Sequence, residues 1–346
     1  MRTVELVAPR TLELFERPDL QAPGSGEVLV KLKAVGLCGT DLHWYQDGHV
    51  GHTAAQFPMI LGHEPVGEVV EVGGGVTTHA VGDRVGIEPS IVCGKCEFCL
   101  GGRPNNCVDG IFMGGHQAPG FFREYATVPA RNAEHFPASL DFITATLIEP
   151  TAVVVHIFAL TRMRAGDTVA VLGAGPIGLL CATFAKLAGA SQIYILDRVP
   201  HRLRIARQID PSFTTVLAPN EDLFQTVMDG TNGRGVDIAI DAAGSFETIH
   251  SGIHILRPCG KFVLVGIPSD RVFYVDLHTA MSKEIEIQTV KRSNHRGHGA
   301  IELLVSGKIP DTLITHRMEL AHTAEGFEMV SGCKDGVGKL VVEIES

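Results

Sequence analysis

TVAVLGAGPIGLLCATFAKLAGASQIYILD, residues 168–197, reads as one complete strand–helix–strand unit. An apolar run over Thr168 to Leu172 leads straight into Gly173, Gly175 and Gly178 in G-x-G-x-x-G spacing; a helical pattern then runs to Gly189, and a second apolar run ends on Asp197. In a dinucleotide-binding unit the first glycine allows the tight turn, the second lets the backbone approach the pyrophosphate, and the third lets helix and strand pack closely. The pyrophosphate rests on the unpaired N–H groups and positive dipole end of the helix. Pro176 suits the first helical position, where its missing N–H removes nothing. Asp197 can accept hydrogen bonds from both ribose hydroxyls and repels a 2′-phosphate, which points to NAD over NADP. Arg198 beside it has two readings, a solvated surface charge or a partner for that phosphate.

Working outward, strand and helix patterns alternate from about Thr151. Apolar, largely β-branched runs fall at Thr168 to Leu172, Gln192 to Leu196, Thr214 to Leu217, Val236 to Ile240, Lys261 to Val265 and Ile285 to Val290. Such runs with helical connections predict an α/β fold, a doubly wound parallel sheet of order 3-2-1-4-5-6 with ligands at the carboxyl ends of its strands. Before Thr151 the chain reads instead as short strands divided by turns: Arg2 to Leu6, Leu12 to Glu16, Glu27 to Val35, Val66 to Val72, Asp83 to Ile87 and Phe122 to Val128. This predicts a twisted, barrel-like β-rich domain. After Val290 the pattern gives a loop to Gly299, a short helix over Ala300 to Ser306, and a last strand, Gly338 to Ile344, returning to the first domain.

The length of 346 residues suits about two domains. With 29 basic against 39 acidic residues the net charge is −10, which is not the footprint of a nucleic-acid binder. The N-terminal segment carries charges throughout and lacks a signal-peptide apolar core, and no run reaches the length of a membrane span. A soluble, cytoplasmic protein without membrane or nucleic-acid partners is expected. The 8 cysteines of such a chain are thiols or metal ligands rather than a disulfide framework.

Four of them, Cys93, Cys96, Cys99 and Cys107, lie in one short stretch. Four thiolates that one loop can wrap round an ion suit a closed, tetrahedral structural zinc site; a redox C-x-x-C needs only two of them, and an iron–sulfur cluster is the other alternative. A second set is dispersed: Cys38, His63 with Glu64, and Glu149. Thiolate, imidazole and carboxylate are the inventory of a catalytic zinc with an open position. Singly, each has a plain reading as core thiol, turn histidine or helix-start acid, and spacing alone does not link them. The same ligands would also accept cobalt or iron.

The strings GLCGTDLH, LGHEPVGEV, VGDRV, CGKCEFC, the Glu149–Pro150 pair and GAGPIG, in this order, resemble the zinc-dependent medium-chain alcohol and polyol dehydrogenases, over essentially the whole chain. Glu149 followed by Pro150 resembles the sorbitol (L-iditol) dehydrogenase branch. The resemblance implies a GroES-like catalytic domain of residues 1–150 and 291–346, with a structural-zinc lobe at about 90–110, and an inserted Rossmann NAD-binding domain of residues 151–290. It makes Cys38 and His63 ligands of a catalytic zinc, Glu64 a further ligand, Glu149 a ligand directly or through water, and Asp41 the acid that fixes the tautomer of His63. It places Gly173, Gly175, Ile177, Gly178, Asp197 and Arg202 on NAD, and Val265, Gly266, Ile267, Val290, Lys291 and Arg292 beside the nicotinamide. A small-molecule alcohol or polyol is the implied substrate, and a homodimer or homotetramer the implied assembly.

The implied chemistry is zinc-assisted loss of the hydroxyl proton with hydride transfer to NAD, the proton leaving through Thr40 and then His43. Trp44, Phe112, His116, Glu149 and Arg292 are the candidate substrate contacts. Here the pattern departs from the sorbitol branch, which usually has tyrosines at Trp44 and Ser293, and the segment Phe112 to Gly120 differs altogether. These departures tell against D-sorbitol itself. An L-threonine 3-dehydrogenase is the rival enzyme, with Arg292 for the substrate carboxylate but no clear partner for its ammonium. A non-catalytic zinc and NAD protein, structural or sensing, is the rival of a different class.

Overall fold

The computed structural model describes every residue except 19, 269–271, 273, 345 and 346. The chain divides into two compact units: residues 1–152, 293–307 and 314–346 form one, and residues 153–292 with 308–313 form the other. The division falls inside the helix Ile148–Thr161.

The first unit is built on a seven-stranded sheet. Its order runs Ala133–His135, Arg84–Ile87, Glu64–Val72, Glu27–Gly36, Lys339–Glu343 and Ile314–Glu319, with Tyr125–Pro129 also pairing with Glu27–Gly36. The long central pair, Glu27–Gly36 with Glu64–Val72, is antiparallel and broken by two register shifts, which curve it. Val28, Val30, Leu32 and Val69 from this pair pack with Phe121, Phe122, Phe327 and Leu340 in one buried cluster. The C-terminal strand Lys339–Glu343 pairs antiparallel with Glu27–Gly36, so the chain end completes the domain begun by its start.

Two segments differ from the sequence pattern. The strand expected from Phe122 begins only at Tyr125, because the N–H groups of Phe121 and Phe122 turn to the carbonyls of Leu61 and Gly62, in the bend that carries His63. The helix expected at Ala300 starts at Gly297. The pattern also missed the strand Ile314–Glu319 and the helices Gly39–Asp47 and Thr323–Ser331.

The second unit is a six-stranded, all-parallel sheet. Thr214–Leu217, Gln192–Asp197, Thr168–Leu172, Val236–Asp241, Leu256–Leu264 and Glu286–Thr289 stand side by side, the expected order 3-2-1-4-5-6. Every residue of Thr168–Leu172 and of Val236–Asp241 is buried, as a strand covered on both faces requires. Among the described residues no helix is long and apolar enough to cross a membrane.

Candidate active site

In the first unit, the strand Glu27–Gly36 delivers Cys38 to the N-cap of the helix Gly39–Asp47. Asp41, three residues into the turn and 0% exposed, binds three groups at once: it accepts from the N–H of Cys38 at 3.0 Å, from the N–H of Gly62 at 3.0 Å, and from His63 Nδ1 at 3.2 Å. One carboxylate thus fixes the thiol loop and the histidine bend together. With Nδ1–H given to Asp41, the other ring nitrogen of His63 is left for a cation.

Cys38 Sγ, a nitrogen of His63 and a carboxylate oxygen of Glu64 lie within 4.8 Å of one another. Burial disfavours a charged His63, yet the charges of Asp41 and Cys38 outweigh it and hold its pKa well above the ordinary value. A buried imidazole drawn toward a proton by its anionic neighbours marks a place that attracts positive charge. That is the environment a zinc ion would satisfy, and the mixed S, N and O donors suit it.

Glu64 has a partner the sequence did not announce. Lys339, 1% exposed at the head of the last strand, donates to Glu64 Oε2 and to the carbonyl of Leu37 at 3.0 Å. Gly36 leaves the room for this pair, since a Cβ there would stand 2.0 Å from Glu64 Oε2. A lysine opening an otherwise apolar, buried strand was the one available signal. Burial works against the Lys339 charge, but Glu64 and Cys38 more than restore it.

Glu149 lies in the first turn of the helix Ile148–Thr161 and is outside the compact donor trio. Burial pushes its carboxyl up to about 8, with His63 and Lys339 pulling it down and Glu64 and Glu88 adding to the rise.

Thr40 Oγ1 stands 3.9 Å from Cys38 Sγ. His43, on the same helix, is half-buried with Nδ1 3.3 Å from Asp47. Trp44 is 5% exposed, and its ring faces that of His116 at 6.3 Å between centroids, while Phe112 lies 5.3 Å from the His63 ring. Phe112 thus stands beside the donor trio, and Trp44 and His116 face each other. Ser293 is buried and accepts from the N–H of Arg296 at 3.3 Å. Arg292 is exposed and belongs to the second unit.

The four-cysteine lobe closes on itself. Sulfurs of Cys93, Cys96, Cys99 and Cys107 all lie within 4.8 Å of one another, with the Cys93–Cys99 and Cys96–Cys107 pairs at 3.9 Å. The short helix Glu97–Leu100 and the turn Pro104–Asn106 fold the loop round them. Backbone N–H groups of Cys99 and Val108 bring Cys96 down to about 6, while burial and neighbouring sulfurs hold Cys99 up to about 12. Four thiols so close cannot all ionise unaided; one dication removes that conflict.

In the second unit the glycines divide the work. A Cβ on Gly178 would stand 1.8 Å from the carbonyl oxygen of Gly173, and Gly173 itself has φ 107° with Ala243 against it. A Cβ on Gly175 would meet nothing within 4 Å, so open space lies over this residue at the start of the helix Pro176–Leu187. That space is what a pyrophosphate needs. Ile177 follows in the first helical turn.

Asp197 accepts from the N–H of Ala174 at 2.7 Å and of Val199 at 2.8 Å, and Arg202 lies 3.8 Å from it. It anchors the glycine turn, a role the sequence did not suggest. Arg198 is exposed, and its charge is felt by Glu247. Val265, Gly266 and Ile267 follow the strand Leu256–Leu264, where the N–H groups of Val265 and Gly266 bond the Asp241 carbonyl, each at 2.9 Å. Val290, Lys291 and Arg292 follow the strand Glu286–Thr289 at the same carboxyl edge.

Comparison with known proteins agrees with both units. The alcohol dehydrogenase GroES-like domain matches residues 24–138, and the zinc-binding dehydrogenase family matches residues 176–306. The sorbitol dehydrogenase of Bacillus subtilis is 35% identical over 333 residues, 96% of this chain and 93% of its own. The chain belongs to the zinc-dependent medium-chain dehydrogenases, in their polyol dehydrogenase branch. A probable D-xylulose reductase of Arthroderma otae is similar to this dehydrogenase at 34% identity, over 97% of this chain and 95% of the relative. Among solved structures, an alcohol dehydrogenase of Escherichia coli complexed with NADH superposes with a TM-score of 0.90 at 30% identity, covering 99% of each chain.

Proposed function

We propose that this dehydrogenase oxidises a secondary alcohol, a polyol or sugar-derived alcohol, with NAD as acceptor. One zinc belongs to the site of Cys38 and His63, and a second, structural zinc to Cys93, Cys96, Cys99 and Cys107. The observation that carries the reading is Asp41 holding Cys38 and His63 in one buried, cation-seeking arrangement. Zinc bound there supplies Lewis acidity toward a hydroxyl oxygen, and NAD supplies the hydride acceptor.

The chain's own residues do the rest. Asp41 keeps His63 in a fixed tautomer, and Glu64 is the acid next to the thiol and imidazole, shared with Lys339. Glu149 acts at one remove, through a water. Thr40 receives the hydroxyl proton, and His43, three residues along the same helical face, passes it to solvent. Asp197, acceptor-only, favours the ribose of NAD over a 2′-phosphate. Trp44, Phe112 and His116 make an aromatic wall with fewer hydrogen-bond acceptors than tyrosines would give, which shifts preference away from D-sorbitol. For assembly into a homodimer or homotetramer, the edge strand Glu286–Thr289, with Ile287 45% exposed, offers a side that pairs with no other strand among the described residues.

The test is NADH formation against a panel of polyols, simple secondary alcohols and L-threonine, with NADP in parallel and metal content measured on the same sample. Oxidation of a polyol with NAD, at about two zinc ions per chain, supports the reading. Oxidation of L-threonine alone refutes the substrate class.

A further inference from the structure

We propose a third metal site, on the surface of the dinucleotide-binding unit, in which His250, His254 and Asp276 take a borderline divalent cation such as Ni2+, Cu2+ or Zn2+. His250 and His254 are four residues apart on the helix Phe246–Ile255 and so share one face, their ring centroids 4.4 Å apart. Asp276 stands beside His254 at the N-cap of the helix Leu277–Ser282, where Thr279 fixes its carboxylate through the backbone N–H at 3.0 Å and the hydroxyl at 2.6 Å, and His250 must turn toward the pair to complete the set.

The decisive atom is His254 Nε2. It is shielded from solvent and makes no hydrogen bond among the described residues, although Asp276 Oδ2 stands 3.4 Å away. A nitrogen and an oxygen so spaced match two ligands on a tetrahedral ion: with bonds of about 2.0–2.1 Å they sit about 3.3–3.4 Å apart. His250 is exposed, so its ring can swing onto the ion without moving backbone.

Two facts favour metal over proton. Burial and the neighbouring His250 lower the proton affinity of His254, so its imidazole yields a proton to a cation more readily than a free histidine would. Asp276 carries the compensating negative charge, its carboxyl held below the ordinary range by Thr279. Lys283 opposes, but its ammonium is tied to the carbonyls of His254 and Leu256, each at 2.8 Å. Imidazole and carboxylate without thiolate select for nickel, copper and zinc rather than softer ions. The ion ties the helix Phe246–Ile255 to the helix Leu277–Ser282, two elements that bracket Val265 to Ile267 in the sequence.

The experiment titrates NiCl2 into the zinc-loaded full-length protein by calorimetry, with zinc content measured before and after. The expected result is one Ni2+ per chain bound without loss of zinc. This binding is absent in H250A/H254A and at least about 10-fold weaker in D276N, about 1.4 kcal/mol. NADH formation equal to wild type shows that the variants are folded. Unchanged nickel binding in H250A/H254A, no binding to wild type, or nickel uptake only in exchange for zinc overturns the site.

Discussion

Replacing Lys339 with methionine removes one half of a buried ion pair while keeping the length of the side chain. Both partners are 1% exposed, and Lys339 also donates to the Leu37 carbonyl, so no water waits to solvate the Glu64 carboxylate that remains. Breaking a buried pair from one side costs about 3–5 kcal/mol, because an uncompensated charge is left behind. At a urea dependence of about 3 kcal/mol per molar, the unfolding midpoint of this unit falls by about 1–1.7 M. The pair is also the reason Glu64 stands beside Cys38 and His63, so the double variant Glu64→Gln, Lys339→Met is expected to recover most of the lost stability. The assay is urea unfolding followed by fluorescence of Trp44, which lies in the same unit as the pair. A midpoint for Lys339→Met within about 0.2 M of wild type, far short of the expected shift, would refute the neutralisation of a buried carboxylate by Lys339.

Other substitutions separate the roles assigned above. Gly175→Ala meets open space at an ordinary φ of −69°, so melting is expected to stay unchanged while the Kd for NAD rises about 10-fold, about 1.4 kcal/mol, as the methyl occupies the pyrophosphate position; unaltered NAD binding contradicts this. Cys96→Ser is expected to lose one zinc and lower the melting temperature; intact zinc content and unchanged melting count against a structural ion there. Asp237 is buried and bonded by Arg234, Arg257 and Thr168; although burial opposes its charge, these donors hold its carboxyl far below the ordinary 3.8. Its contribution to stability is therefore present above pH 3.8 and lost as the pH falls toward the depressed value, and Asp237→Asn should flatten the acid limb of a stability-against-pH curve.

The parallel sheet was legible because its strands are apolar and β-branched throughout, and the glycine turn because Gly173, Gly175 and Gly178 each meet a different steric demand. The cysteine lobe was legible because its ligands are neighbours in sequence. Ile314–Glu319 was not, since its burial alternates but one of its inward positions is the polar His316, which breaks the apolar pattern. Cys38 and the adjacent pair His63–Glu64 come from separate turns, so no spacing rule joins the thiol to the pair; only the fold, and Asp41 bridging the two turns, does. Lys339 gave only a faint signal for a physical reason: a lysine at a strand start is nearly always solvated, and its burial depends on Glu64, far away in the chain. The anchoring of the glycine turn by Asp197 was hidden in the same way, behind the expectation that its carboxylate serves only the ribose.

The most direct test is to compare Cys38→Ser with wild type for zinc content, NAD binding and NADH formation from a substrate alcohol. The donor trio lies in one unit and the glycine turn in the other. Loss of one zinc and of turnover is expected, with NAD bound as tightly as before. Turnover at the wild-type rate after loss of that zinc would contradict a catalytic role for Cys38.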